Sequence, residues 1–210
     1  HLYQKEKYFL FQQFLKVNLF FYTYSVGLTC VKSYVSYARP CDYVIFKDLK
    51  EFLNNQGNKQ LIILILDNII DPRNLGACIR SAAVTGVDAL IINKHHCAPL
   101  NDIAHSVSAG GAEYVQTFYV SNLINCIKYL KESNINIYGL SEHAENQHTD
   151  NNFIDSSAVI MGSEEQGIRK KTQENCDYLI NLSNNKNFKS FNVSVATGII
   201  LAEVSRQRTC

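Results

Sequence analysis

Residues 61–66, LIILIL, form an unbroken apolar run closed by Asp67. A run this short, with no polar interruption, suits a strand covered on both faces. Asn74 is placed to cap a helix that continues through Val84 and stops at Gly86. Strands are then expected over 89–92, 115–120, 135–139, 158–161 and 178–182, with helices over 101–108, 121–132 and 192–208 and a polar loop over 142–152. Strands and helices alternating at these spacings predict an α/β fold built on a parallel sheet with right-handed crossovers. Ahead of the first strand, Arg39-Pro40 reads as a break and residues 47–56 as a short helix ending near Gly57.

At 210 residues the chain fits one domain with a short appendage. With 46% hydrophobic and 19% charged residues, 10 Gly and 3 Pro, disordered, collagen-like and disulfide-scaffold classes are excluded. The net charge of +1 supplies no overall basic footprint of the kind that marks many nucleic-acid binders. The charge is uneven, however: residues 1–40 carry a net +4 and the remainder −3. The 7 cysteines are odd in number and form no C-x-x-C pair, which points to reduced, mostly buried thiols. His95-His96-Cys97 has no second pair at ligand spacing, so a loop is expected there and no metal. Residues 8–30 are rich in aromatics and Leu, but Gln12, Gln13, Lys16 and Asn18 break them below the ~18 apolar residues of a spanning helix. No clear small-x-small cleavage site follows the apolar 19–30 stretch, so a degenerate accessory segment is expected rather than a signal peptide. The chain opens on His1 rather than Met, as a fragment or processed product would. A cytoplasmic location follows from these readings.

Ligands of parallel α/β sheets bind beyond the carboxyl ends of the strands, and three segments there stand out. The first is DPRNLGACIR, residues 71–80; Asn74 and Arg80 lie six positions apart on one helix and do not share a face tightly. From spacing alone, Arg80 is either an exposed or ion-paired arginine or an anion-binding one. The second is MGSEEQG, 161–167, where two glycines bracket Glu164 and Glu165. It is either a turn with solvated acids or a loop where a ligand approaches the backbone. The third is SFNVSVATG, 190–198, in which Ser190, Asn192 and Ser194 can cap a helix or contact a ligand. Neither a G-x-G-x-x-G nor a G-x-x-x-x-G-K-[ST] pattern follows the first strand, which removes most of the weight from dinucleotide and P-loop readings.

In this order and context the three segments closely resemble the motifs of the SpoU (TrmH-like) branch of the SPOUT RNA methyltransferases. The resemblance covers residues 61–208 and is strongest in 71–86 and 192–208. It is similar above all to the enzymes that methylate a guanosine ribose 2′-OH in 23S rRNA; tRNA guanosine enzymes are close relatives, and a catalytically weakened RNA-binding relative is the remaining alternative. The resemblance implies an α/β knot, a mostly parallel sheet with a C-terminal trefoil knot that forms the cofactor pocket. It further implies a homodimer with S-adenosylmethionine (AdoMet) as methyl donor, no metal, and an RNA partner, 23S rRNA first and tRNA second. Gly162, Leu182 and Phe191 fall on cofactor-binding positions, and Asn74, Arg80, Glu164, Ser190 and Asn192 on catalytic and substrate-contacting ones. The expected organisation is a truncated or degenerate substrate-binding segment over 1–40, a linker over 41–60 and the methyltransferase domain over 61–210. Two departures stand out: NNKNFK at 184–189 replaces the usual small residues, and Phe191 the usual Leu, which implies a reshaped pocket wall.

Overall fold

The computed structural model describes residues 46–163, 165–183, 185 and 190–209. The expectations for residues 1–45, Glu164 and most of the 184–189 loop lie outside them. The described residues belong to one compact unit, 41–210.

The strands are β1 (Ile62–Leu66), β2 (Ala89–Asn93), β3 (Gln116–Val120), β4 (Asn136–Leu140), β5 (Ser157–Met161) and β6 (Tyr178–Ile180). They form one sheet in the order β3-β2-β1-β5-β4-β6, and every pairing between these strands is parallel. The helices are α1 (Phe46–Asn54), α2 (Pro72–Val84), α3 (Asp102–Ser108), α4 (Leu123–Glu132), α5 (Lys170–Gln173) and α6 (Val193–Arg208). From β1 the chain winds outward through β2 to β3, crosses to β4 on the other side, returns inward to β5 beside β1 and ends at the β6 edge, giving the parallel α/β sheet expected of the alternating sequence.

The apolar run behaves as its composition requires. Ile62, Leu64 and Leu66 join the core beneath α2 and α6, while Ile63 and Ile65 join the one beneath α1 and α4. All five β1 residues are buried, and each such side chain contributes about 1.5–3 kcal/mol of transfer free energy. The 41–60 segment takes part in this core: Leu49 of α1 is fully buried, with Phe46, Phe52 and Leu53 packed beside it.

Two of the boundaries that differ from the expected ones bear on the site. Asn74 does not cap α2; Asp71 does, accepting from Arg73 N at 2.8 Å, with Pro72 at the first helical position. Proline suits that position because its fixed φ matches the helix and its missing N–H would have been unbonded there. Asn74 thus sits inside the first turn with its side chain released from capping. β6 ends at Ile180 rather than Leu182, because Asn181 turns its side chain onto neighbouring backbone: Nδ2 donates to Ala144 O and Oδ1 accepts from Ser183 N.

Register brings the site together. Leu66 pairs with both Ile92 and Met161, so β1, β2 and β5 end level. α6 packs on α2, and at its far end Arg208 donates to the carbonyls of Gln60, Leu61, Phe153 and Asp155. That fastens the end of α6 to the amino ends of β1 and β5. A helix of 16 residues spans about 24 Å, so its start is delivered to the opposite, carboxyl edge of the sheet. The knot implied by the resemblance would run through 181–192, part of which lies outside the described residues.

Candidate functional site

A cleft opens beyond the carboxyl ends of β4, β5 and β6. One wall is the loop after β5, which folds back on itself: Ser163 N donates to Gly167 O at 3.1 Å and Gly167 N to Ser163 O at 2.8 Å. Glycine is required at both ends. A Cβ on Gly162 would collide with the Gly167 backbone, and Gly167 itself has φ +62°. The opposite wall comes from 140–143 and from Leu182, Ser190 and Phe191. Asn181 ties these parts together, since Asn181 N donates to Asn146 O at 2.8 Å and Asn181 O accepts from His148 N at 2.9 Å.

All three residues expected to hold a cofactor, Gly162, Leu182 and Phe191, line this cleft. Of the five expected catalytic residues, Ser190 lines it as well, while Asn74, Arg80 and Asn192 do not. Asn74 and Asn192 are nevertheless brought together: Asn192 Nδ2 donates to Asn74 Oδ1 at 3.2 Å. Asn192 also caps α6, accepting from Ser194 N at 2.9 Å. Arg80 stands on the exposed side of α2, and no described carboxylate pairs with it. This fits the exposed-arginine reading and leaves the guanidinium open to an anion; an ion pair with a described carboxylate is not formed. Glu164 lies outside the described residues.

The cleft's chemistry follows from its lining. Glu142, Glu165 and His143 line the cleft, with His143 Nε2 3.6 Å from Glu142 Oε1, and no Lys or Arg appears among the described lining residues. Such a wall favours a ligand that carries positive charge. The thiols are poor nucleophiles: burial pushes Cys126 and Cys176 up to about 12 and raises Cys97. Cys97 instead bonds the backbone, donating to Leu66 O at 3.2 Å. Among the described residues no group of three or more His, Cys, Asp or Glu is placed to hold a metal ion.

Two groups escaped sequence reasoning. Asp67, which reads only as the end of a strand, is fully buried and pairs with Arg169 at 2.8 Å. Asn181 reads as one asparagine among many. An aspartate directly after an all-apolar strand is the one signal for the first, because burial there demands a partner.

A parallel α/β sheet with a cleft at its carboxyl edge, and an amide pair joining the first turn of α2 to the cap of α6, defines the class: an α/β domain whose fold is that of solved SpoU methyltransferases. AviRb of Streptomyces viridochromogenes superposes with a TM-score of 0.69 at 23% identity, over 75% of this chain and 63% of that one. A TrmH/SpoU tRNA modifying enzyme of A. aeolicus superposes with a TM-score of 0.65 at 26% identity, over 78% and 82%. The model of the SpoU rRNA Methylase family matches residues 61–202, and the chain belongs to that family. The 23S rRNA (guanosine-2′-O-)-methyltransferase RlmB of Blochmanniella floridana is 42% identical over 160 residues, 76% of this chain and 63% of that protein. RlmB of Escherichia coli K12 is 43% identical over 150 residues, 71% and 62%. The chain thus spans about three-fifths of the length of these curated relatives.

Proposed function

We propose that this chain transfers a methyl group from AdoMet to the ribose 2′-OH of a guanosine in 23S rRNA. The observation that carries the reading is the Asn192–Asn74 hydrogen bond. It joins two of the three motif segments beside a cleft lined by the third, in a chain 42–43% identical to the two RlmB proteins. AviRb has also been solved in complex with AdoMet, and that form superposes with a TM-score of 0.66.

The residues present fit AdoMet. Gly162 and Gly167 line the cleft without side chains, Gly162 because a Cβ would strike the Gly167 backbone, and Glu142 and Glu165 suit a sulfonium and an ammonium. When bound, AdoMet supplies a methyl group on a good leaving group, so the protein's task is alignment more than acid catalysis. Gly162, Leu182 and Phe191 hold the cofactor. Arg80, exposed on α2, clamps the phosphate next to the target ribose and stabilises developing alkoxide charge. A guanidinium is a poor free base, so electrostatic activation comes first and proton acceptance second. Asn74, Asn192 and Glu164 orient Arg80, the ribose or the guanine edge, and Ser190 contacts substrate.

Residues 61–210 serve as the catalytic domain, a reading supported by the family match over 61–202; 41–60 joins it through the buried Leu49, and 1–40 serves as a substrate-binding segment. The chain acts as a homodimer, as the family resemblance implies. An rRNA substrate places the protein in the cytoplasm, and among the described residues no helix is long and apolar enough to cross a membrane.

The deciding experiment is methyl transfer from labelled AdoMet to total RNA of a strain lacking the modification, with mass spectrometry of the nucleosides. 2′-O-methylguanosine in 23S rRNA is the expected product. Label in tRNA alone reassigns the substrate, and no label from a chain that still binds AdoMet supports a catalytically weakened relative.

A further inference from the structure

Asp67 leaves β1 at the carboxyl edge of the sheet, fully buried. Its N–H donates to Met161 O at 2.9 Å, immediately before the 162–168 loop begins. Its carboxylate meets Arg169 immediately after that loop ends, with Arg169 Nη2 at 2.8 Å from Oδ1. Thr172 Oγ1 donates to Oδ2 at 2.8 Å, and Asn93 Nδ2 reaches Oδ1 at 3.5 Å. One residue thus grips both ends of the loop that forms a wall of the cleft. The loop is tightened further by Gln173 Nε2, which donates to Ile168 O at 2.6 Å.

Stability is a weak reason for this arrangement. A buried ion pair loses much of its attraction to desolvation, and apolar residues of equal volume often hold a fold as well. What apolar residues cannot do is fix direction. The guanidinium and carboxylate set the point at which the chain leaves the loop, and the Asp67 N–H sets the point at which it enters.

We propose that Asp67 and Arg169 are positioning residues for the cofactor: the pair holds the 162–168 loop in the one register that keeps the cleft open to AdoMet. This rests on the reading of the cleft as an AdoMet site. Neither residue touches the cofactor; each acts through the loop backbone. The pair governs cofactor affinity and leaves RNA binding alone.

The test uses the full chain. Asp67→Asn/Arg169→Gln removes both charges together, so no unpaired charge is left buried. Calorimetry with AdoMet should show affinity weakened ~10-fold or more, the scale on which outer supporting residues act. In steady-state transfer the AdoMet KM should rise while kcat at saturation holds, the mark of lost uniform binding. RNA affinity by filter binding should match wild type. A folded double variant that binds AdoMet as tightly as wild type overturns the proposal. Should that variant fail to fold, Arg169→Met, which leaves Asp67 its Thr172 and Asn93 donors, with undiminished AdoMet affinity overturns it equally. A wild-type chain that does not bind AdoMet overturns the functional reading instead. Hydrogen exchange across 162–168 then still decides the anchoring: faster exchange in the variants upholds it, and unchanged exchange refutes it.

Discussion

Asn192 divides its amide between two partners separated by most of the domain. Its oxygen accepts from Ser194 N and caps α6, while its nitrogen donates at 3.2 Å to Oδ1 of Asn74, 118 positions away in the chain. Together with the bond from Ser194 Oγ to the same oxygen, these fix which way the amide points, since a flipped group would set oxygen against oxygen. The geometry of α6 and the orientation of Asn74 are thereby one problem with one solution.

Asn192→Asp separates those roles. A carboxylate still caps the helix but cannot donate to Asn74, so thermal stability should hold while methyl transfer falls by about tenfold, the upper end of one hydrogen bond's contribution. Asn192→Ala should lose transfer and also ~0.5–2 kcal/mol of stability through the missing cap. Urea denaturation alongside initial rates reads both. Equal rates for Asn192→Asp and wild type would remove the bond from the mechanism.

Arg80 is exposed, and no described carboxylate holds it, so its removal should leave the fold and the cofactor cleft unchanged. Arg80→Ala is expected to cut transfer ~10²–10³-fold, as loss of a charge-stabilising donor does, with AdoMet affinity retained in calorimetry. Arg80→Lys should restore little, because a point charge does not reproduce a bidentate fork. Unchanged turnover in Arg80→Ala would end the assignment.

At Gly162 a methyl group has nowhere to go, for it would strike the Gly167 backbone across the turn. Gly162→Ala should therefore open the 162–168 loop and abolish measurable AdoMet binding, while RNA binding and far-UV circular dichroism stay near wild type. Calorimetric affinity equal to wild type would show that the loop does not hold the cofactor.

Acid stability should carry the signature of Glu203. Hydrogen bonds from Arg206 and Gln207 hold its carboxyl at about 2, against an ordinary 4.5. A group depressed on folding contributes stability above its unfolded value and loses it as pH falls toward its folded one. The urea midpoint should thus decline between pH 4.5 and about 2, and Glu203→Gln should flatten that decline. A wild-type midpoint independent of pH over this window would refute the linkage.

What the sequence determined by itself was everything local in cause. The run 61–66 could only be a strand buried on both faces, because no residue in it tolerates water, and Ile62 to Leu66 do divide between two cores. The alternation that followed determined the parallel sheet, and the spacing of Asn74, Arg80, Gly162, Ser190 and Asn192 carried the family resemblance. Where two local signals compete, spacing alone does not choose between them: Pro72 makes Asp71 the cap of α2 and so frees Asn74 to reach Asn192. Only the tertiary structure decided which distant polar groups meet. Nothing in the chain's periodicity says that Asp67 will close a loop at Met161 and Arg169, or that Asn181 will knit 144–148 to the end of β6. Strand order creates those meetings, by bringing β1 and β5 level at one edge of the sheet. Buried polar groups must then find partners among whatever the fold has brought within reach.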